Sequence, residues 1–115
     1  MPKSPVRDEY IVAGDLTFHY VQWGEQGIPI VCLHGITANA FCFQAFADDL
    51  ACDHRVFAYD ERGRGDSDKP EEGYNIPTHV ADLATIIDEL GLERPVIVGH
   101  SSGAWIALYF AAHYP

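Results

Sequence analysis

The chain has 115 residues, 48% apolar and 21% charged, the size and balance of one soluble globular domain with a real core. Its formal net charge of −10 argues against nucleic acid and anionic membrane surfaces as partners, since both would repel it. The opening residues, Met1 to Tyr10, hold no signal-peptide apolar core, and no apolar run approaches the ~20 residues that span a bilayer, so a cytoplasmic location is expected.

In chain order, EYIVA and LTFHYVQW are β-branched and aromatic runs around Gly14-Asp15, which predicts a tight hairpin. IPIVCLHG is a continuous apolar run of strand length, expected to be covered on both faces of a parallel sheet. Phe43, Phe46, Ala47 and Leu50 recur at helical spacing behind Asn39, an N-cap residue. HRVFAYD is the next strand and runs into the polar loop ERGRGDSDKPEEGYN. A helix is predicted from about Asn75, with Pro77 in its first turn, an apolar stripe of Val80, Leu83, Ala84, Ile87 and Leu90, and Gly91 as its stop. RPVIVGH is the last strand, and SGAWIALYFAAHY is a helix apolar almost all round, hence expected to be buried. A hairpin followed by alternating strands and helices predicts an α/β layer whose site lies at the carboxyl ends of the parallel strands.

The three cysteines, Cys32, Cys42 and Cys52, suit neither a disulfide framework, which needs an even count, nor zinc, which favours Cys-x-x-Cys pairs. Apolar surroundings make them inert, buried or half-buried thiols of a reducing compartment. No metal or cofactor is expected.

Three loops leave the parallel strands: LHGITAN, YDERGRGDSD and GHSSG. In the last, Gly99-x-Ser101-x-Gly103 between an apolar strand and a helix has the form of a nucleophile elbow, a turn so tight that side chains at the glycine positions would meet backbone. The serine would stand above the sheet. The Ser102 N–H would lie at a helix start, where backbone donors are unpaired and an oxyanion can accept from them. The structural alternative is a plain loop in which Ser101 or Ser102 caps the helix. The glycines of ERGRG do not have the spacing of a dinucleotide or phosphate loop, so this loop is read as structural.

With these motifs in that order, from about Tyr10 onward, the chain resembles the N-terminal part of an α/β-hydrolase. The branch resembled is the single-domain, esterase-like one that includes lactonases, carbon–carbon bond hydrolases and cofactor-free perhydrolases. The resemblance implies a partial α/β-hydrolase fold: a mixed, mostly parallel sheet, with an antiparallel N-terminal hairpin and flanking helices. It implies Ser101 as nucleophile, the N–H groups of Ser102 and Ile36 as oxyanion donors, and His34, Gly35, Gly99 and Gly103 as scaffold. It also implies that the charges of the ERGRGDSD loop pair with one another.

A serine nucleophile needs a histidine base, which in this fold follows the serine and the acid in sequence. His113 lies twelve positions on in the same helix, about 18 Å away at 1.5 Å per residue. His100 points to another side of the turn, His34 belongs to the oxyanion loop, and His19, His54 and His79 are expected to be remote and structural. Residues 1–115 therefore read as the N-terminal portion of one domain, truncated after the elbow helix. Further strands, lid, acid and histidine would be absent and the piece itself inactive. The parent would take a small-molecule substrate, an ester, lactone or related carbonyl compound, through an acyl-enzyme. The alternatives are a non-catalytic, receptor-like small-molecule binder on the same fold, and a lyase using the same serine. An apolar last strand without an outer neighbour, and a final helix whose apolar surface exceeds what one sheet face can cover, would invite self-association.

Overall fold

The computed structural model describes residues 6–35 and 38–114, and shows five strands among them. β1 (Val6–Ala13) and β2 (Leu16–Trp23) form the predicted hairpin, with Gly14 at φ +63° in its turn. β3 (Pro29–Leu33) is followed by a 3₁₀ turn (Ala40–Phe43) and α1 (Gln44–Leu50). β4 (Arg55–Tyr59), α2 (Ile76–Glu89), β5 (Val96–Gly99) and α3 (Ser102–His113) complete the chain. The sheet order is β1-β2-β4-β3-β5: the hairpin runs antiparallel onto β4, while β4, β3 and β5 are parallel.

Alternation along the two central strands builds two cores. Val31, Leu33, Phe57 and Tyr59 face α2 and α3, while Ile30, Cys32, Val56 and Ala58 face the 3₁₀ turn and α1. Both faces are covered, which is why these strands read as unbroken apolar runs. Because β4 lies on one side of β3 and β5 on the other, the crossovers diverge at β3, the kind of switch point where open α/β sheets place ligands.

Capping follows the sequence closely. The Asn39 side chain accepts from the Phe41 N–H and the Asn75 side chain from the Thr78 N–H, while Gly91 leaves α2 at φ +68°. The helix expected around Phe43–Leu50 splits instead, because Asn39 caps a 3₁₀ turn; Phe43 and Ala47 are buried, but Phe46 faces out. Of the cysteines only Cys32 is buried, its thiol pushed up to about 12 by desolvation; Cys42 and Cys52 are exposed.

Composition alone suggested a buried α3, whereas its apolar surface exceeds what one sheet face can cover, and the structure shows the second. One sheet face and α2 cover only Gly103 and Ile106 completely, leaving Trp105 61% and Leu108 65% exposed. Among the described residues β5 pairs with β3 alone, and its Val96 is half-exposed. An unprotected apolar strand edge beside an apolar helix favours association. The 115-residue chain on its own is therefore expected to sediment at micromolar concentration as dimers or larger species. A single monomeric boundary that also melts cooperatively would contradict this.

Candidate active site

The turn between β5 and α3 holds Ser101 at φ 57° and ψ −119°, a region that non-glycine residues enter rarely and at a cost of about 1–3 kcal/mol. Ser101 is exposed and its side chain makes no capping hydrogen bond to α3, so the plain helix-cap alternative is not what the structure shows.

The turn is held from below by β3. The His100 N–H donates to the Leu33 carbonyl at 3.0 Å, and Gly103 packs on the same strand end. A methyl at Gly99 would run into the Gly103 backbone, within 2.5 Å of its carbonyl carbon. A methyl at Gly103 would meet the Leu33 carbonyl, and one at Gly35 would stand 3.3 Å from the Ser101 Cβ. Three glycines thus bring the first and third loops against each other, with the serine between them.

Ser102 opens α3. The Gly103 and Ala104 N–H groups donate to the His100 and Ser101 carbonyls at 3.0 Å each, and no backbone carbonyl of the described residues accepts from the Ser102 N–H. At the amino end of a twelve-residue helix, that donor is available to a negative oxygen. Ile36, the other expected donor, lies outside the described residues.

His34 is fully buried and spent on scaffold. The Glu61 N–H donates to its Nε2 at 2.9 Å, so the ring proton is on Nδ1, which donates to the Gly35 carbonyl at 2.6 Å. Desolvation lowers its pKa, outweighing the Gly35 bond. A neutral ring with both nitrogens engaged cannot take the serine proton. Among the described residues no hydrogen bond joins Ser101 to any histidine.

The second loop departs from expectation in its pairing. Asp60 and Arg62 bind neighbouring elements rather than other charges of the loop. Asp60, buried, receives the Ala40 N–H at 2.7 Å and the Asp66 N–H at 2.8 Å, and bonds His19 Nδ1 at 2.7 Å. His19 bonds Asp8 through Nε2 at 2.6 Å; burial opposes its protonation, but the two carboxylates prevail and raise its pKa. Arg62 grips Asp82 of α2 at 2.6 and 2.8 Å. His19, Asp60 and Asp66 could each offer an atom to one metal ion, but the His19 and Asp60 atoms are already committed to this network.

His79 requires a correction. It is not remote: with Glu61, Arg64, Ile76, Ser102 and Ile106 it lines a cavity of about 180 Å³ on the Ser102 side of the elbow. Glu61 is only 5% exposed, and its carboxyl is pushed up to about 8, because desolvation outweighs the attraction of Arg64. Its Oε1 lies 4.0 Å from His79 Nδ1 and its Oε2 3.5 Å from His34 Nδ1. Burial lowers the His79 pKa despite Asp82 nearby. The signal for His79 was in the sequence, since it stands three residues after Ile76 and four before Leu83, on the apolar face of α2. Glu61 had no such signal beyond its place after a strand.

The chain matches the alpha/beta hydrolase fold family over residues 28–115. It is 38% identical over 103 residues to "Epoxide hydrolase 4" of Mus musculus, covering 87% of this chain and 29% of that one. To the "2-(acetamidomethylene)succinate hydrolase" of Mesorhizobium japonicum it is 36% identical over 102 residues, covering 89% and 36%. A crystal structure of the epoxide hydrolase VrEH1 from Vigna radiata superposes with a TM-score of 0.91 at 26% identity, covering 96% of this chain and 35% of that one. The chain thus spans about a third of the length of the curated relatives it matches. With a mixed sheet, a strained serine turn and a family match over most of its length, the chain belongs to the alpha/beta hydrolase fold family.

Proposed function

We propose that this segment supplies the nucleophile and part of the oxyanion hole of a cytoplasmic serine hydrolase, which cleaves a small ester, lactone or related carbonyl substrate through an acyl-enzyme. The observation that carries the reading is Ser101, exposed at positive φ on a glycine-bounded turn at the amino end of α3. In the proposed reaction a base from outside the described residues takes the Ser101 hydroxyl proton and later returns it to the leaving oxygen. The Oγ attacks the carbonyl carbon, the carbonyl electron pair moves onto oxygen, and the Ser102 N–H donates to that oxygen, with Ile36 as the second donor. Collapse expels the alcohol and leaves a serine ester, which water then hydrolyses. Exposed, unpaired Cys42 and Cys52 are compatible with a reducing compartment.

The residue type also bears on substrate class. Attack by a serine oxygen on an epoxide carbon would leave an ether, which water does not cleave under mild conditions, whereas an acyl-serine turns over. A carbonyl substrate is therefore favoured, although several relatives are named epoxide hydrolases.

The base would come from outside the described residues, so this chain alone is expected to hydrolyse p-nitrophenyl acetate no faster than its Ser101→Ala variant. In a polypeptide of the relatives' length that carries this segment, a fluorophosphonate probe should label Ser101, located by peptide mass spectrometry. Ser101→Ala should abolish the labelling. A full-length protein that binds small ligands but never labels would instead be the receptor-like binder.

A further inference from the structure

The amino-terminal half of β1 has little apolar packing to hold it. Val6 through Tyr10 are all exposed, and within the strand only Ala13 is buried. Besides the ladder to β2, two side chains of this half reach polar partners among the described residues. Arg7 pairs with Glu25 at the surface, and Asp8 reaches the His19 ring. That second tie joins a group 60% exposed to one only 1% exposed.

His19 stands between two carboxylates, and the distances say where its protons are. Nδ1 lies 2.7 Å from Asp60 Oδ2 and Nε2 lies 2.6 Å from Asp8 Oδ1. A neutral ring carries one N–H, so one contact would set a nitrogen lone pair against a carboxylate oxygen. An imidazolium donates to both. Asp60 is arranged as an acceptor throughout, since its oxygens also receive the Ala40 and Asp66 N–H groups. The other groups facing the ring are the Asp66 carboxylate from the second loop, Tyr10 from β1 and Phe41 from the 3₁₀ turn. Desolvation opposes a charge on the ring, but the bonds to Asp60 and Asp8 outweigh it and raise its pKa.

We propose that His19 is a pH-sensitive latch for the edge strand: as an imidazolium it ties Asp8 of β1 to buried Asp60, and as a neutral ring it keeps Asp60 and releases Asp8. Exposure decides which bond is lost. Asp60 is buried and has no solvent to turn to, whereas Asp8 needs only a side-chain rotation to be hydrated. The neutral ring therefore carries its proton on Nδ1. The tie is fully present below the ring's ordinary value of 6.5 and is lost as pH rises through the higher folded one. Residues 6–10 then keep the ladder and the surface pair alone, and β1 frays from its amino end, baring the outer edge of β2. The proposal does not depend on Ser101 being a nucleophile.

Amide hydrogen–deuterium exchange read by mass spectrometry tests this on the 115-residue chain, segment by segment and whatever its state of association. Glu61→Gln is the background, so that the alkaline titration of Glu61 does not contribute. With intrinsic rates corrected for pH, protection of residues 7–11 should fall about threefold between pH 6 and 9, the size of a partly exposed charged pair. β3 and β4 should keep theirs. Asp8→Asn, at an exposed position, should bring β1 at pH 6 to the level reached at pH 9 and leave it flat, while Glu9→Gln on the same strand should keep the pH response. Nitrogen-15 spectra of the histidine-labelled, sedimented chain read the protons themselves: the ring whose signals move in Asp8→Asn should hold a proton on each nitrogen at pH 6 and on Nδ1 alone at pH 9. A β1 indifferent to pH, an Asp8→Asn chain that still loses protection as pH rises, β3 and β4 opening in step with β1, or a His19 ring neutral at pH 6 would each overturn the proposal.

Discussion

Glu61→Gln is expected to raise the melting temperature of this chain at pH 8.5 by about 10 °C or more, and to change little near pH 4.5, where both side chains are neutral. The folded carboxyl sits at about 8 against an ordinary value of 4.5, principally because it is desolvated. Between those values the folded chain keeps a proton that the unfolded chain has released. Stability is fully present below the unfolded pKa and is lost as pH rises through the folded one. The window gives roughly 5 kcal/mol at its limit, at 1.36 kcal/mol per unit. Relaxation around an ionised Glu61 reduces this to about half, still large against the ~5–15 kcal/mol of a typical domain. Glutamine keeps the volume and cannot ionise, so its melting curve should lack this slope. At 4–8 °C per kcal/mol for a domain of roughly this size, thermal melts from pH 4.5 to 9 resolve the difference. Parallel pH profiles for the two chains would mean that Glu61 titrates as an ordinary surface carboxylate.

Gly103→Ala is expected to destabilise the chain by about 3 kcal/mol or more, and the sign is the informative part. Gly103 is within α3 and has no positive φ, so local propensity favours alanine there by about 1 kcal/mol. The added methyl, however, would meet the Leu33 carbonyl, with its carbon at 2.7 Å and the His34 carbonyl oxygen at 2.8 Å. These are backbone atoms at the carboxyl end of β3 and just past it, and cannot swing aside as a side chain could. Overpacking typically costs 1–3 kcal/mol, and a rigid neighbour puts this case at the upper end. Gly91→Ala is the control: it has open space around the Cβ and carries only the strain of φ +68°. Melting should fall much further for Gly103→Ala than for Gly91→Ala. Equal or smaller loss at Gly103 would show that α3 can slide off β3 without penalty.

What was legible in the sequence was set locally. Gly14, Asn39, Asn75 and Gly91 act within a few residues of themselves, and the elbow glycines fix a turn whatever surrounds it. What was not legible depended on long-range packing. His79 and Glu61 meet because α2 crosses the sheet face beside the second loop, a juxtaposition that spacing along the chain cannot show. The charges of that loop misled for the same reason: Asp60 and Arg62 reach His19 and Asp82, residues far off in sequence. The exposure of α3 came from counting covering surfaces, where composition alone had suggested burial.

The position of β5 has a consequence for how firmly the serine is held. Strands with two neighbours open to solvent only when the sheet as a whole opens, whereas a strand with one neighbour can peel away by itself. Ser101 stands two residues beyond the end of such a strand, and its uncommon dihedral angles persist only while His100 and Gly103 stay seated on the end of β3. Among the described residues, the backbone geometry the proposed chemistry relies on is therefore governed by detachment of β5 and α3 from β3. The hairpin and β4 can remain folded while the serine relaxes to an ordinary conformation, so the whole-domain melt is an upper bound on the resilience of the site. Anything that occupies the open side of β5 would raise that local limit without touching the serine itself.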